Sequence, residues 1–112
     1  MERFFALVLA ASLWGGVPAA RAQPTVDTGA AEALTKKSGC MKCHAVSAKK
    51  DGPSFKETAG KYKGKVDAEQ KLYAHLTTNP KIKVDDKEEL HESLKTKNDA
   101  EVKNVIRYIL SR

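Results

Sequence analysis

The pentapeptide Cys40-Met41-Lys42-Cys43-His44 decides the fold of this 112-residue chain. It has the form C-x-x-C-H, which is the attachment pattern of a c-type haem. Two thiols at this spacing can each add to one vinyl group on the same edge of a porphyrin. The imidazole that follows then reaches the iron from one face. The motif therefore predicts one covalently attached haem, with Cys40 and Cys43 as the thioether residues and His44 as the proximal ligand.

Other sites that use cysteine explain less of this pattern. A redox-active C-x-x-C is expected near a βαβ unit and gives no reason for a following histidine. A structural zinc site needs four ligands, usually in two pairs, whereas this chain has only two cysteines. A disulfide across so short a loop would stabilise little.

The N-terminus has the pattern of a secretory signal peptide. Arg3 precedes the apolar run Phe4–Trp14, and Ala20-Arg21-Ala22 has the A-x-A form of a cleavage site. The run is shorter than the roughly 20 apolar residues of a membrane-spanning helix. We therefore expect residues 1–22 to be removed, leaving residues 23–112 as one periplasmic monohaem domain with no membrane span.

Composition limits what so small a domain can do. After cleavage the aromatic side chains are few, namely Phe55, Tyr62, Tyr73 and Tyr108. So small an apolar core favours a domain that is completed by a cofactor. The formal charge of the chain is +6, but it contains no nucleic-acid recognition motif or aromatic platform. A basic secreted protein is more consistent with acidic protein partners. We expect a monomer, and no acid–base constellation suggests an enzyme.

Capping residues and apolar spacing predict an all-α fold. Helix starts are predicted at Asp27 or Thr28, Ser54, Asp67 (with Gln70 completing a capping box) and Asn98. The clearest apolar stripe belongs to the last helix, where its members are Val102, Val105, Ile106, Ile109 and Leu110. Residues 81–97 are densely charged; we expect part of them, 88–95, to be helical or else a solvated loop, and no strand.

Taken together, these features resemble the class I cytochromes c of bacterial periplasms. The resemblance runs from Ala30 to the C-terminus and rests on C-x-x-C-H, on the pair Gly52-Pro53 and on the terminal amphipathic helix. It implies four or five short helices around one haem, with the first and last helices crossing beside it. It also implies that the carbonyl of Pro53 accepts the Nδ1 proton of His44, which fixes the imidazole.

The chain departs from this family on the far side of the iron. The family's usual sixth ligand is a methionine before the last helix, but Met1 lies in the signal peptide and Met41 within the haem motif. His91 takes the position of that methionine in the chain, so we predict His44 and His91 as the axial pair. His75 is predicted to be a surface residue.

Two functions remain open from the sequence. Two axial imidazoles would give a one-electron carrier of relatively low potential, further lowered by acidic residues around His91, namely Asp85, Asp86, Glu88, Glu89 and Glu92. An open or weakly held sixth position, approached by water, Asn79, Lys81 or Lys83, would instead give a ligand-binding or sensing haem protein. A docking surface for an acidic redox partner is predicted at Lys42, Lys49, Lys50 and Lys56.

Overall fold

The computed structural model describes residues 15–19 and 24–112. The predicted signal-peptide features at Arg3, Phe4–Trp14 and Ala20–Ala22 lie outside these residues. The described part is mostly helical, as predicted: α1 Thr28–Lys37, α2 Phe55–Tyr62, α3 Ala68–Thr77 and α4 Asp99–Leu110, with a 3-10 turn at Cys40–Lys42 and a hairpin of β1 Lys81–Val84 and β2 Lys87–Leu90. No helix in residues 15–19 or 24–112 is long and apolar enough to cross a membrane.

Side-chain caps fix the start of three helices where the sequence predicts them. The carboxylate of Asp27 accepts from the backbone N–H of Ala30 at the start of α1. Ser54 and Glu57 form a reciprocal capping box on α2, and Asn98 caps α4. The capping box predicted at Asp67 is wrong: that side chain makes no cap bond, and its carboxylate lies 2.8 Å from the Lys71 ammonium.

Helix α4 is the centre of the core and packs against α1, α2 and α3. Its apolar stripe is buried, with Val105 and Ile106 fully inaccessible to solvent. Two reciprocal hydrogen bonds between Asn104 and the backbone of Asp27, 2.9 and 2.8 Å long, fasten α4 to the start of α1. Tyr108 meets the ring of Phe55 edge-on at 6.0 Å and so joins α4 to α2.

The prediction of no strand and of a helix over 88–95 is wrong. Residues 81–90 form an antiparallel hairpin in which Lys81 pairs with Leu90 and Val84 with Lys87. Its two-residue turn, Asp85-Asp86, has φ values of 48° and 64°, as a type I′ turn requires. The alternation Lys-Ile-Lys-Val in β1 is a strand pattern that the surrounding charge obscures. The hairpin ends immediately before His91.

Candidate haem site

The two cysteines and His44 lie on one tight turn that begins at Gly39, whose φ of 77° is left-handed. The backbone N–H groups of Cys43 and His44 both donate to the carbonyl of Cys40, over 3.2 and 3.0 Å. Both thiols and the imidazole therefore line one cavity of about 740 Å³. Burial raises the pKa of the Cys40 thiol, and the Glu92 carboxylate adds to this shift.

The cavity has the size of a cofactor pocket. Its interior wall is apolar and is formed by helices α2, α3 and α4, through Phe55, Leu72, Leu76, Val105 and Ile109. Such a wall suits the faces of a porphyrin, while the cysteines stand at its edge.

The loop that contains Pro53 fixes the imidazole of His44 through its Nδ1 atom. Its Nδ1 donates to the carbonyl oxygen of Pro53 over 2.6 Å, the contact that the resemblance implies. Because Nδ1 carries the proton, Nε2 keeps its lone pair and can bind a metal. The ring also stacks on Phe55 at 5.9 Å. The roles of these residues in haem binding remain predictions.

This loop requires glycine at position 52 for a steric reason that the Gly52-Pro53 pair alone did not reveal. A Cβ atom at this position would lie 2.5 Å from Cε1 of His44 and 2.8 Å from its Nδ1. The backbone N–H of Gly52 donates to the carbonyl of Cys43 over 2.8 Å. The loop therefore approaches the imidazole more closely than any side chain allows.

His91 lines the same cavity as His44. The two ring centroids are 6.1 Å apart and the ring planes make an angle of 59°. The backbone of His91 is tied to the end of α3 from both sides, since its N–H donates to the carbonyl of Pro80 over 2.8 Å and its own carbonyl accepts from the Asn79 amide over 2.9 Å. Helix α3 and the hairpin thus set the position of His91.

His75 is not the surface residue that was predicted. Its ring is half-buried, lines the same cavity and lies 4.0 Å from the ring of His91, centroid to centroid. Burial, with the neighbouring His91 and His44, lowers the pKa of His75 to about 4. Sequence spacing contained the signal, because residue 75 is three positions after Leu72 and therefore shares the inward face of α3.

Burial, followed by the nearby His44, also lowers the pKa of His91, and the backbone of His75 and Glu92 opposes this shift. Its Nδ1 is buried and makes no hydrogen bond of normal geometry with any described residue. No glutamate carboxylate of the described residues accepts a hydrogen bond from it. The neighbouring Glu92 carboxylate instead lies beside Gly39, where an added Cβ would be 3.3 Å from Oε2.

The other groups considered for the iron have different positions. The Asn79 amide donates to the backbone carbonyl of His91, and the Lys81 ammonium lies 2.8 Å from the Glu88 carboxylate. Lys83 does line the cavity. Of the acidic residues near His91 in sequence, Glu89 and Glu92 line the cavity, whereas Asp85 and Asp86 form the hairpin turn.

The lysine patch, defined as Lys42, Lys49, Lys50 and Lys56, is exposed throughout. Lys42 and Lys49 line the cavity mouth, and the ammonium of Lys50 donates to the carbonyl of Met41 over 2.7 Å. Lys56 lies on α2 outside the lining. The patch therefore lies next to the haem motif and continues onto α2.

Residues 28–112 match the family model described as Cytochrome c. The chain belongs to the cytochrome c family. A crystal structure of the class 1 cytochrome MtoD from Sideroxydans lithotrophicus superposes with a TM-score of 0.73 and 45% identity, covering 78% of this chain and 97% of that one. Cytochrome c552 of Nitrosomonas europaea superposes with a TM-score of 0.56 and 29% identity, covering 71% of this chain and 96% of that one.

Curated sequence relatives match only part of the chain, about 37–40% of its length. Cytochrome c-552 of Hydrogenobacter thermophilus is 51% identical over 41 residues, which are 37% of this chain and 42% of that protein. The match thus spans less than half the length of that relative. The family consists of small electron carriers rather than enzymes. With Cys40 and Cys43 in its C-x-x-C motif, this class I member carries one covalent haem c.

Proposed function

We propose that this cytochrome is a periplasmic one-electron carrier whose haem iron is bound by His44 and His91. The observation that carries the proposal is that these two imidazoles line one cavity with their ring centroids 6.1 Å apart. An imidazole nitrogen binds a metal at about 2 Å and lies about 1 Å from its ring centre, so two opposed rings on one metal have centres about 6 Å apart. The spacing supports a shared iron.

The haem supplies a reversible Fe(III)/Fe(II) couple, and the residues around it set how readily that couple is reduced. Two imidazoles favour low-spin iron in both oxidation states, which limits rearrangement during electron transfer. Imidazole in place of a thioether favours ferric iron, so we expect a potential below that of methionine-ligated relatives. The carboxylates of Glu89 and Glu92 at the cavity act in the same direction, to the extent that solvent does not screen them.

The lysine patch supports an acidic redox partner. Lys42 and Lys49 line the cavity and Lys50 contacts the haem motif through the carbonyl of Met41, so the patch lies where an electron would enter or leave the haem. Opposite charge on a partner would speed encounter and orient it. We further propose that residues 1–22 direct export, and that residues 23–112 act as a monomeric periplasmic domain.

Optical spectra of the ferrous protein with and without carbon monoxide test the electron-carrier proposal. We expect wild-type protein to be low-spin and unaffected by carbon monoxide, and His91→Ala to become high-spin when reduced and to bind it. His75→Phe is the matched control, because it removes the second nearby imidazole but keeps a ring beside His91, and it should stay low-spin without binding carbon monoxide. A wild-type protein that is high-spin and binds carbon monoxide would overturn the proposal and favour a ligand-binding haem protein.

A further inference from the structure

We propose that His75 is a positioning residue that holds the imidazole of His91 in a plane rotated away from that of His44. The inference rests on the proposed ligation of iron by His91. It concerns the orientation of the His91 ring. Methionine, the family's usual sixth ligand, has no ring plane to orient.

The two axial candidates are held in different ways. A metal-binding histidine ordinarily donates its second ring N–H to a protein acceptor, which fixes the ring plane. His44 follows this rule through its 2.6 Å bond to Pro53. Nδ1 of His91 is buried yet forms no such bond with the described residues. No hydrogen bond of normal geometry therefore fixes the plane of His91, although the backbone of His75 and Glu92 lies close enough to raise its pKa.

The backbone tethers of His91 do not remove this freedom. Hydrogen bonds to Pro80 and from Asn79 fix its main chain, and the N–H of Leu94 donates to the carbonyl of Leu76 over 2.9 Å. The imidazole still turns about the Cβ–Cγ bond, whose torsional preference is broad. A contact with a neighbouring side chain must therefore restrict the rotation of the imidazole.

His75 is placed to do this. Its ring centre lies 4.0 Å from that of His91 with 42° between the planes, so rotation of His91 would bring the two rings into collision. The backbone that carries His75 is itself fixed, because its neighbours on the inward face of α3, Leu72 and Leu76, are 5% and 7% exposed and belong to the core. The 59° angle between His44 and His91 is thus set by packing from α3.

This angle has a spectroscopic signature. In low-spin ferric haem, parallel imidazole planes separate the two iron orbitals of π symmetry most strongly, whereas crossed planes leave them closer in energy. The largest g value of the electron paramagnetic resonance (EPR) spectrum rises as the planes cross. It reports on the orientation of His91, not on the stability of the fold.

The experiment compares the EPR spectra of three ferric holoproteins: wild type, His75→Ala and His75→Phe. The phenylalanine keeps a flat ring at the same position. We expect His75→Ala to lower the largest g value and to broaden the EPR signal there, and His75→Phe to retain the wild-type signal. Cyanide binding, which requires His91 to leave the iron, should be faster in His75→Ala by roughly threefold to tenfold, as the loss of one ring contact implies. His75→Gln replaces His75→Ala if the latter fails to retain a folded haem domain.

Each result decides the proposal. Unchanged EPR and cyanide rates in His75→Ala would overturn it, and so would equal changes in His75→Phe and His75→Ala, because the ring contact would then not be the cause. A low-spin His91→Ala together with a high-spin His75→Ala would make His75 the ligand and would overturn both proposals. A wild-type spectrum without two imidazole ligands would overturn the proposed function first, independently of the variants.

Discussion

At the scale of single residues, Gly52 determines whether His44 can occupy its place. We expect Gly52→Ala to destabilise the holoprotein by about 1–3 kcal/mol, because the new methyl group must displace the imidazole or the loop. The bond from His44 to Pro53 should lengthen as a result. Thermal or denaturant unfolding measures the loss, and the EPR spectrum should shift with it.

Gly60→Ala is the matched control for this substitution. Gly60 lies within α2 and has no atom within 4 Å of an added Cβ, so alanine should stabilise the helix by roughly 0.5–1 kcal/mol. A Gly52→Ala protein as stable as wild type would contradict the steric account.

The proximal residues could be predicted from the sequence because their chemistry is encoded in consecutive positions. Spacing alone indicates the roles of Cys40, Cys43 and His44. His91 follows from the absence of a usable methionine. His75 was assigned to the charged side of its helix, although its position three residues after Leu72 places it on the inward face. The steric need for Gly52 depends on a loop that returns so close to His44 that an added Cβ would lie within 3 Å of its ring, which no local pattern expresses.

At the scale of elements, the segment joining α3 to the hairpin positions His91, the proposed distal ligand. Asn79 has a φ of 50° and donates to the carbonyl of His91. Asn79→Gly keeps this left-handed conformation and removes only the side-chain bond, whose net value is about 0.5–1.5 kcal/mol. We expect cyanide to bind the ferric variant roughly threefold to tenfold faster, because His91 leaves the iron more readily.

Thr78→Ala is the control for this change. Thr78 also makes a local side-chain bond, 2.6 Å from its hydroxyl to the carbonyl of Ala74, but does not touch His91. Its cyanide rate should equal that of wild type. Equal rates in Asn79→Gly and wild type would show that this bond does not hold the distal loop.

Helices were predictable where a cap and an apolar stripe coincide, as at Asn98 and α4. The hairpin was not, because each strand has only four residues and most of them are charged. It is defined by the type I′ turn at Asp85-Asp86 and by the backbone ladder that pairs Lys81 with Leu90 and Val84 with Lys87. Neither produces a hydrophobic period that a sequence window detects.

At the scale of the whole molecule, charge should govern reactions with other redox carriers. We expect ferrous protein to reduce anionic ferricyanide more slowly as ionic strength rises, because salt screens the lysine patch. Lys49→Glu with Lys56→Glu should lower this rate by up to about tenfold at low salt. A cationic cobalt(III) oxidant should show the opposite dependence.

Lys95→Glu with Lys97→Glu makes the same change in net charge outside the cavity lining and outside the lysine patch. This control should have a smaller effect on ferricyanide reduction. Equal effects of the two double variants would mean that net charge, and not the patch, directs the encounter. The order of helices around the haem was implied by family resemblance, but the patch could be placed at the cavity mouth only from the fold.

The near-infrared magnetic circular dichroism of the ferric protein, recorded for wild type and His91→Met, tests the central claim most directly. The energy of its low-spin charge-transfer band depends on the pair of axial ligands. We expect the band of two imidazoles in wild type and that of imidazole with thioether in His91→Met, accompanied by a higher reduction potential. A high-spin wild-type spectrum, or a band unchanged in His91→Met, would contradict it.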